Sequence, residues 1–143
     1  MGNRRQAREH ALKLLFQIEF TSQGAGESPL PESGLPKILP AYWDENDVSE
    51  EIRQFTEELC AGALKNLAQI DASLESHSTN WKLSRMASVD RNLLRLATFE
   101  LLFEKEIPAS VTINEALEIS KKYGNEESAS FINGILDKIA HEQ

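Results

Sequence analysis

The stretch SVDRNLLRLATFELLF at residues 88–103 constrains the fold most, because its apolar side chains lie on more than one side of a helix. These side chains are Val89, Leu93, Leu94, Leu96, Ala97, Phe99, Leu101, Leu102 and Phe103. A helix that is apolar all round must be covered by neighbouring elements. The sequence therefore predicts a central, nearly enclosed helix that Ser88 caps and that ends before Pro108.

The rest of the chain supplies amphipathic helices that can surround it. Residues 4–20 place apolar side chains on one face by three- and four-residue steps. Asp47 and Glu50 form an Asp-led capping box before a long apolar stripe, in which Gly62 and Asp71 mark candidate breaks. No segment shows the alternation of a strand. The predicted fold class is all-α.

The C-terminal part, residues 108–139, predicts two helices joined by a corner. Thr112 and Glu115 form a capping box for the first helix, and Gly124 is a candidate C-cap for it. Asn125 can cap the second helix. The corner thus brings a basic helix end, an aromatic ring and a new helix start to one place.

Residues 22–47 hold four of the five prolines and three glycines, a composition that predicts a long surface loop. Tyr42 and Trp43 are expected to fold back from it onto the body of the protein, and Trp81 is expected in a connector. The length of 143 residues suits one domain that spans residues 1–143.

We find no constellation for catalysis, metal binding or a cofactor. The three histidines are scattered, and no phosphate-binding loop, dinucleotide fingerprint or nucleophile elbow is present. The single Cys60 excludes an internal disulfide and is expected to be a buried structural thiol. The chain is therefore not expected to be an enzyme.

Charge and hydropathy suggest a cytoplasmic protein that can carry a local basic patch. No apolar run approaches the roughly 18 residues of a membrane span, and no signal peptide is evident. The net charge of −8 argues against nucleic acid if taken alone. However, residues 1–15 carry four basic residues and one acidic residue, whereas residues 24–60 carry nine acidic and two basic ones.

The basic start consists of Arg4, Arg5 and Arg8. Cations oppose the dipole at a helix N-terminus, so an anionic partner would explain them, and a solvated basic end is the simpler alternative. At the corner, Lys121, Lys122, Tyr123 and Phe131 offer charges and aromatic faces of the kind that hold single-stranded RNA. The alternatives are dipole-compensating lysines and core packing for Phe131.

Three motifs in order carry a resemblance to a known family. They are RRQAREHALKLLFQIEF, VDRNLLRLATFELL and INEALEISKKYGNEESASFINGILDKI. In these motifs the chain resembles the NusB family of bacterial transcription antitermination factors. The resemblance covers roughly the first 20 residues and residues 85–139. The resemblance implies an all-α bundle of about seven helices in two packed groups.

It also implies functional residues, carried over by position. The RNA contacts would be Arg4, Arg5, Arg8, Lys121, Tyr123, Glu127 and Phe131. The surface for the protein partner NusE, a small-subunit ribosomal protein, would include Phe16 and Asp90, with Arg91 nearby. Phe16 stands where the family often has tyrosine, and Gln6 interrupts what is often a longer arginine run.

The expected function is RNA-binding transcription antitermination. With NusE, the protein would bind the boxA element of leader RNA, join the antitermination complex on RNA polymerase and support ribosomal RNA synthesis. The alternative is a helical adaptor that binds only proteins. A third interpretation, an RNA-recruiting domain of the kind fused to a methyltransferase, is disfavoured because no such catalytic region follows in the sequence.

Overall fold

The computed structural model describes residues 2–22, 30–78 and 82–143. Within those ranges the protein has seven α-helices, one turn of 3-10 helix and no strand, so the predicted all-α fold is confirmed. The helices are α1 (Gly2–Thr21), α2 (Gly34–Glu45), α3 (Glu50–Lys65), α4 (Leu67–His77), α5 (Ser88–Phe103), α6 (Ala109–Tyr123) and α7 (Ser128–His141). None of these helices is both long enough and apolar enough to cross a membrane.

Helix α5 is the central helix that the sequence predicted. Every residue from 90 to 101 is buried, and α1, α3, α4, α6 and α7 all pack against it. The predicted cap was wrong, because the helix begins at Ser88 itself and Ala87 occupies the N-cap position. The Ser88 hydroxyl instead donates a hydrogen bond to the carboxylate of Glu19 on α1.

Helices α1, α2 and α3 form the first packed group. Helices α1 and α3 approach closely because Ala7 and Ala11 are fully buried between them. The Thr56 hydroxyl donates to the Ala7 carbonyl at 3.3 Å, and the Cys60 thiol donates to the Ala11 carbonyl at 3.6 Å. Burial raises the pKa of Cys60, which is the inert thiol that the sequence predicted.

The predicted loop at 22–47 was wrong in its second half, which forms α2. The physical reason is tolerance of proline in the first helical turn, where backbone N–H groups have no intrahelical partner. Pro36 is in that turn, although Pro40 lies inside the helix. Residues 23–29, the first part of the predicted loop, lie outside the described ranges.

Two neighbouring aromatic side chains, Tyr42 and Trp43, attach helix α2 to the body of the protein. Trp43 is buried, and its indole N–H donates to the Glu57 carboxylate on α3 at 2.8 Å. The sequence correctly expected Tyr42 and Trp43 to pack back on the body, since Tyr42 also lies against the core. Trp81, expected in a connector, falls outside the described ranges.

Helices α4 to α7 form the second group. The chain breaks between α3 and α4 at Asn66, rather than at Gly62 or Asp71. Gly62 has a packing role, because any side chain there would collide with the ring of Phe99 on α5. Asp71 forms an ion pair with the buried Arg95 of α5, with 2.9 Å between the closest atoms.

Candidate nucleic-acid and protein interface

The basic start is the first turns of α1, which lie beside α6. The Arg5 guanidinium donates two hydrogen bonds of 2.8 Å to the Glu115 carboxylate. This contact raises the pKa of Arg5 and lowers that of Glu115. The predicted capping box of Thr112 and Glu115 was wrong, because α6 begins at Ala109. The Glu115 side chain is bonded to Arg5 instead.

Arg4 and Arg8 differ sharply in their surroundings. Arg4 is exposed, with its guanidinium carbon 4.4 Å from the centre of the Phe55 ring, a cation–π contact. Arg8 is only 5% exposed and donates two hydrogen bonds of 2.8 Å to Glu100 on α5. Thr112, which the sequence assigned to a capping box, donates to the same Glu100 carboxylate at 3.1 Å. Arg8 is thus a buried link among α1, α5 and α6.

The corner is the chain from Lys121 to Phe131. Gly124 ends α6, as predicted, and its N–H donates to the Ser120 carbonyl at 2.8 Å. Asn125 does not start α7 directly, since that helix begins at Ser128. Instead the Asn125 side-chain oxygen accepts hydrogen bonds from the Glu127 N–H at 2.9 Å and the Ser128 hydroxyl at 3.2 Å. These bonds fix the turn between the two helices.

Glu9 connects the corner to α1. Its carboxylate accepts a hydrogen bond from the Lys122 ammonium at 2.9 Å and another from the Tyr123 hydroxyl at 2.8 Å. Burial acts to raise the pKa of Glu9, but the hydrogen bonds from Lys122 and Tyr123 outweigh it, so the pKa lies below its ordinary value. Lys121 forms a separate exposed pair with Glu118 at 3.0 Å. The corner and the basic start therefore share one surface along α1 and α6.

A cleft of about 300 Å³, the Asp90 cleft, lies behind the corner. Its lining includes Met86, Asp90, Glu127 and Phe131. Phe131 is partly buried against the core, whereas Glu127 is exposed. Predicted RNA-contact residues and a predicted NusE-contact residue thus meet in one cleft, which no spacing in the sequence revealed.

A second, more apolar cleft of about 220 Å³, the Phe16 cleft, lies on the other side of the α5 start. It is lined by Leu12, Lys13, Phe16, Val89 and Tyr123. Val89 and Asp90 are adjacent in sequence, so the first turn of α5 separates the two clefts. The structure therefore brings Phe16 close to the corner.

Arg91, predicted near the NusE surface, is buried and holds Glu19 of α1. Its guanidinium donates to the two carboxylate oxygens of Glu19 at 2.8 Å and 2.7 Å, and Arg95 adds a third bond at 3.2 Å. Although burial opposes ionisation, the hydrogen bonds from Arg91 and Ser88 lower the pKa of Glu19 to about 2. Arg91 thus lies beneath this surface, where it holds α1 to α5 through Glu19.

Sequence reasoning missed Glu9 and Glu19, which organise the surface. A signal for Glu19 was present, because it shares a helical face with Arg8, Leu12 and Leu15. Charges on an apolar face indicate buried ion pairing. No comparable pattern marked Glu9, whose partners lie 113 and 114 residues away in the chain.

The described residues form an all-helical protein in which the basic start, the corner and two small clefts lie together. This arrangement is that of a helical binding protein. The NusB family model matches residues 5–141, and the chain belongs to the NusB family.

Relatives of known sequence and structure agree. Transcription antitermination protein NusB of Desulfitobacterium hafniense is 54% identical over 137 residues, covering 96% of this chain and 87% of that protein. The T. maritima NusB structure has 44% identity and a TM-score of 0.79, covering 98% of this chain and 92% of its own. A crystal structure of the antitermination factors NusB and NusE with dsRNA has a TM-score of 0.80 at 24% identity, covering 100% and 99%. At 24% identity, this last similarity shows a shared fold alone.

Proposed function

We propose that this chain is an RNA-binding transcription antitermination factor that acts as one domain. In this proposal it binds boxA-type single-stranded RNA together with a NusE-type protein and joins the antitermination complex on RNA polymerase. Its membership of a family whose curated relatives are named transcription antitermination proteins supports the proposal. A solved complex of antitermination factors NusB and NusE with dsRNA, which shares the fold, supports an RNA-binding role.

The observation that carries the RNA part is the meeting of the basic start with the corner through Glu9. Two ion-paired contacts, Arg5 with Glu115 and Lys122 with Glu9, hold α1 beside α6. Basic groups separated by more than 100 residues in sequence thereby line one surface. Such a surface suits an extended anionic strand, with Tyr123 and Phe131 as candidate stacking rings.

The strength of each ion pair decides which basic groups can leave their carboxylates and bind RNA phosphates. Exposed pairs contribute about 0–1 kcal/mol, so Arg5 and the two lysines can exchange their carboxylates for phosphates. A buried pair is different, because removing one partner costs about 3–5 kcal/mol. We therefore assign Arg4, Arg5, Lys121 and Lys122 to RNA contact, together with Tyr123, Glu127 and Phe131 of the corner. Arg8 holds the surface in place.

The protein partner is assigned to the part of the same surface that surrounds the first turn of α5. Phe16 is 43% exposed and Asp90 lines the neighbouring cleft, and both observations support a contact with NusE. Partner and RNA would then bind side by side, with residues assigned to each of them in both clefts.

A mobility-shift titration with a boxA-like RNA, with and without purified NusE, tests the proposal. We expect binding by the chain alone, tighter binding with NusE, and a linear fall of log affinity with log salt concentration. A protein-only adaptor would give no shift without NusE. A mixture with NusE that binds RNA no better than NusE alone would contradict the proposal.

A further inference from the structure

Arg5 uses only one edge of its guanidinium within the protein. Its Nε and Nη2 atoms donate to the two carboxylate oxygens of Glu115, each at 2.8 Å. A guanidinium carries five N–H donors in a planar fork, so two on Nη1 and one on Nη2 remain. These remaining donors have no acceptor among the described residues. The Nη1–Nη2 edge is thus left open.

An acceptor from outside the protein can reach this open edge. The Arg5 side chain is 41% exposed. Arg5 lines a cleft of about 580 Å³ beside the starts of α1 and α6, together with Arg4, Pro108 and Val111. Two neighbouring N–H groups in one plane match two oxygens of a phosphate. Arg5 can therefore bind a phosphate without leaving Glu115.

Glu115 is itself fixed from its buried side. Its side chain is 17% exposed, and the Arg8 Nη1 atom is 3.9 Å from its Oε1 atom. Arg8 is in turn held by two hydrogen bonds of 2.8 Å to Glu100, inside the contact between α1 and α5. The plane of the Arg5 guanidinium is thus set by a chain of contacts that begins in the core.

Glu9 has a different relation to its cation, Lys122. An ammonium is a compact point charge, so a phosphate and the Glu9 carboxylate compete for it. A planar guanidinium offers separate edges to two acceptors, and an edge that is already oriented costs less conformational entropy to bind. The carboxylates of Glu9 and Glu115 are therefore expected to affect RNA binding in opposite directions.

We propose that Glu115 is a positioning residue for RNA binding, which holds the Arg5 guanidinium with its Nη1–Nη2 edge toward an RNA phosphate. Glu115 keeps both hydrogen bonds from Arg5 in the complex. The repulsion between Glu115 and the phosphate is screened by salt, whereas the hydrogen bonds orient Arg5 by direct contact. This inference rests on the proposed function, because Glu115 has this role only in a chain that binds RNA.

Mobility-shift titrations of a boxA-like RNA with variants of the full chain test the inference. Arg5→Ala is expected to lower affinity about fivefold at about 0.1 M salt and to flatten the salt slope by about 0.7, the counterion release of one phosphate contact. Glu115→Ala is expected to lower affinity about threefold and to flatten the slope, since Arg5 keeps its charge but not its orientation. Glu115→Gln is expected to lie between the parent chain and Glu115→Ala, because its amide oxygen still accepts from Arg5.

Two further variants serve as controls. Glu75→Ala removes one carboxylate from the exposed side of α4 and is expected to bind RNA like the parent chain. The double variant Arg5→Ala/Glu115→Ala is expected to bind RNA no more weakly than Arg5→Ala alone, because Glu115 acts through Arg5. Circular dichroism checks folding, and Glu115→Gln carries the same test if Glu115→Ala does not fold.

The outcomes separate this inference from the proposed function. Failure of the parent chain to bind RNA would overturn both. Equal or tighter RNA binding by Glu115→Ala and Glu115→Gln would overturn the inference alone, since it would show that Glu115 only competes with phosphate. A further loss of affinity in the double variant would show a general effect on the fold, and this would also overturn the inference.

Discussion

The Arg8 guanidinium and the Glu100 carboxylate form a two-bond ion pair, with both distances 2.8 Å, inside the contact between α1 and α5. The side chains are 6% and 2% exposed. Arg8 shares its sequence motif with Arg4 and Arg5, yet its surroundings resemble those of a core residue. We therefore expect Arg8 to act in stability and Arg4 in RNA binding, and single substitutions can separate these two roles.

Arg8→Ala is expected to lower the free energy of unfolding by about 3–5 kcal/mol, because Glu100 would remain buried without its partner. Arg4→Ala is expected to change it by less than about 0.5 kcal/mol, since Arg4 is exposed. Urea denaturation measures both. With folded protein, Arg4→Ala should reduce RNA affinity and flatten its salt dependence. Equal stability of the two variants would contradict this division of roles.

Glu9→Gln is expected to raise RNA affinity, because the change removes a carboxylate that pairs with Lys122 and accepts from Tyr123. One added phosphate contact would steepen the slope of log affinity against log salt by about 0.7 for a single strand. A mobility shift at several salt concentrations measures it. Glu75→Gln, the same charge change on the exposed side of α4, is the control. An equal gain in both variants would show a net-charge effect and not release of Lys122.

The fold was largely predictable because helical periodicity is a local property. The apolar pattern of residues 88–103 already required a helix enclosed by others, and α5 is buried from residue 90 to residue 101. The sequence misjudged α2, where proline content outweighed an apolar spacing that ends in Trp43. Caps were also misplaced, since the Thr112 and Ser88 hydroxyls bond to carboxylates of other helices.

From the sequence, the candidate site could be proposed as a set of residues but not as a surface. Sequence patterns placed basic and aromatic groups at two ends of the chain, and the family resemblance joined them. They could not reveal that Arg8 and Arg91 are buried, because burial depends on Glu100 and Glu19 reaching them from other helices. Long-range ion pairs of this kind leave no periodic signal.

Stability is expected to rise when the pH falls from about 7.5 to about 5.5, through the carboxyl group of Glu104. A hydrogen bond with Glu58, partial burial and nearby carboxylates raise the pKa of Glu104 to about 7, above its ordinary value of 4.5. The folded protein therefore binds more protons than the unfolded chain between these values, so the free energy of unfolding falls as pH rises through about 7.

Comparison with Glu104→Gln isolates this effect from His10 and His77, whose pKa values are also shifted. Urea denaturation at the two pH values should show a larger gain for the parent chain than for the variant. The lowered pKa values of Glu9, Glu19 and Glu115 matter only under more acidic conditions. The same pH dependence in both proteins would rule out Glu104 as the source.

Phe131 is the residue for which packing and RNA stacking compete. It is partly buried against the core, it lines the Asp90 cleft, and it lies in the first turn of α7. Its neighbour Ile132 is fully buried, which makes Ile132→Ala a matched control. That control is expected to cost about 2–5 kcal/mol of stability with RNA affinity unchanged in the folded protein.

Phe131→Ala is expected to cost less stability than the roughly 3–5 kcal/mol of a fully buried phenylalanine, since part of its ring is open to the cleft. It is expected to lose about 1–3 kcal/mol of RNA affinity, the contribution of one stacked base. Phe131→Leu separates core packing from base stacking, because leucine keeps most of the apolar contact but lacks a flat ring. Near-normal stability with weakened RNA binding in Phe131→Leu supports stacking. Full RNA affinity in folded Phe131→Leu and Phe131→Ala would assign the ring to packing alone.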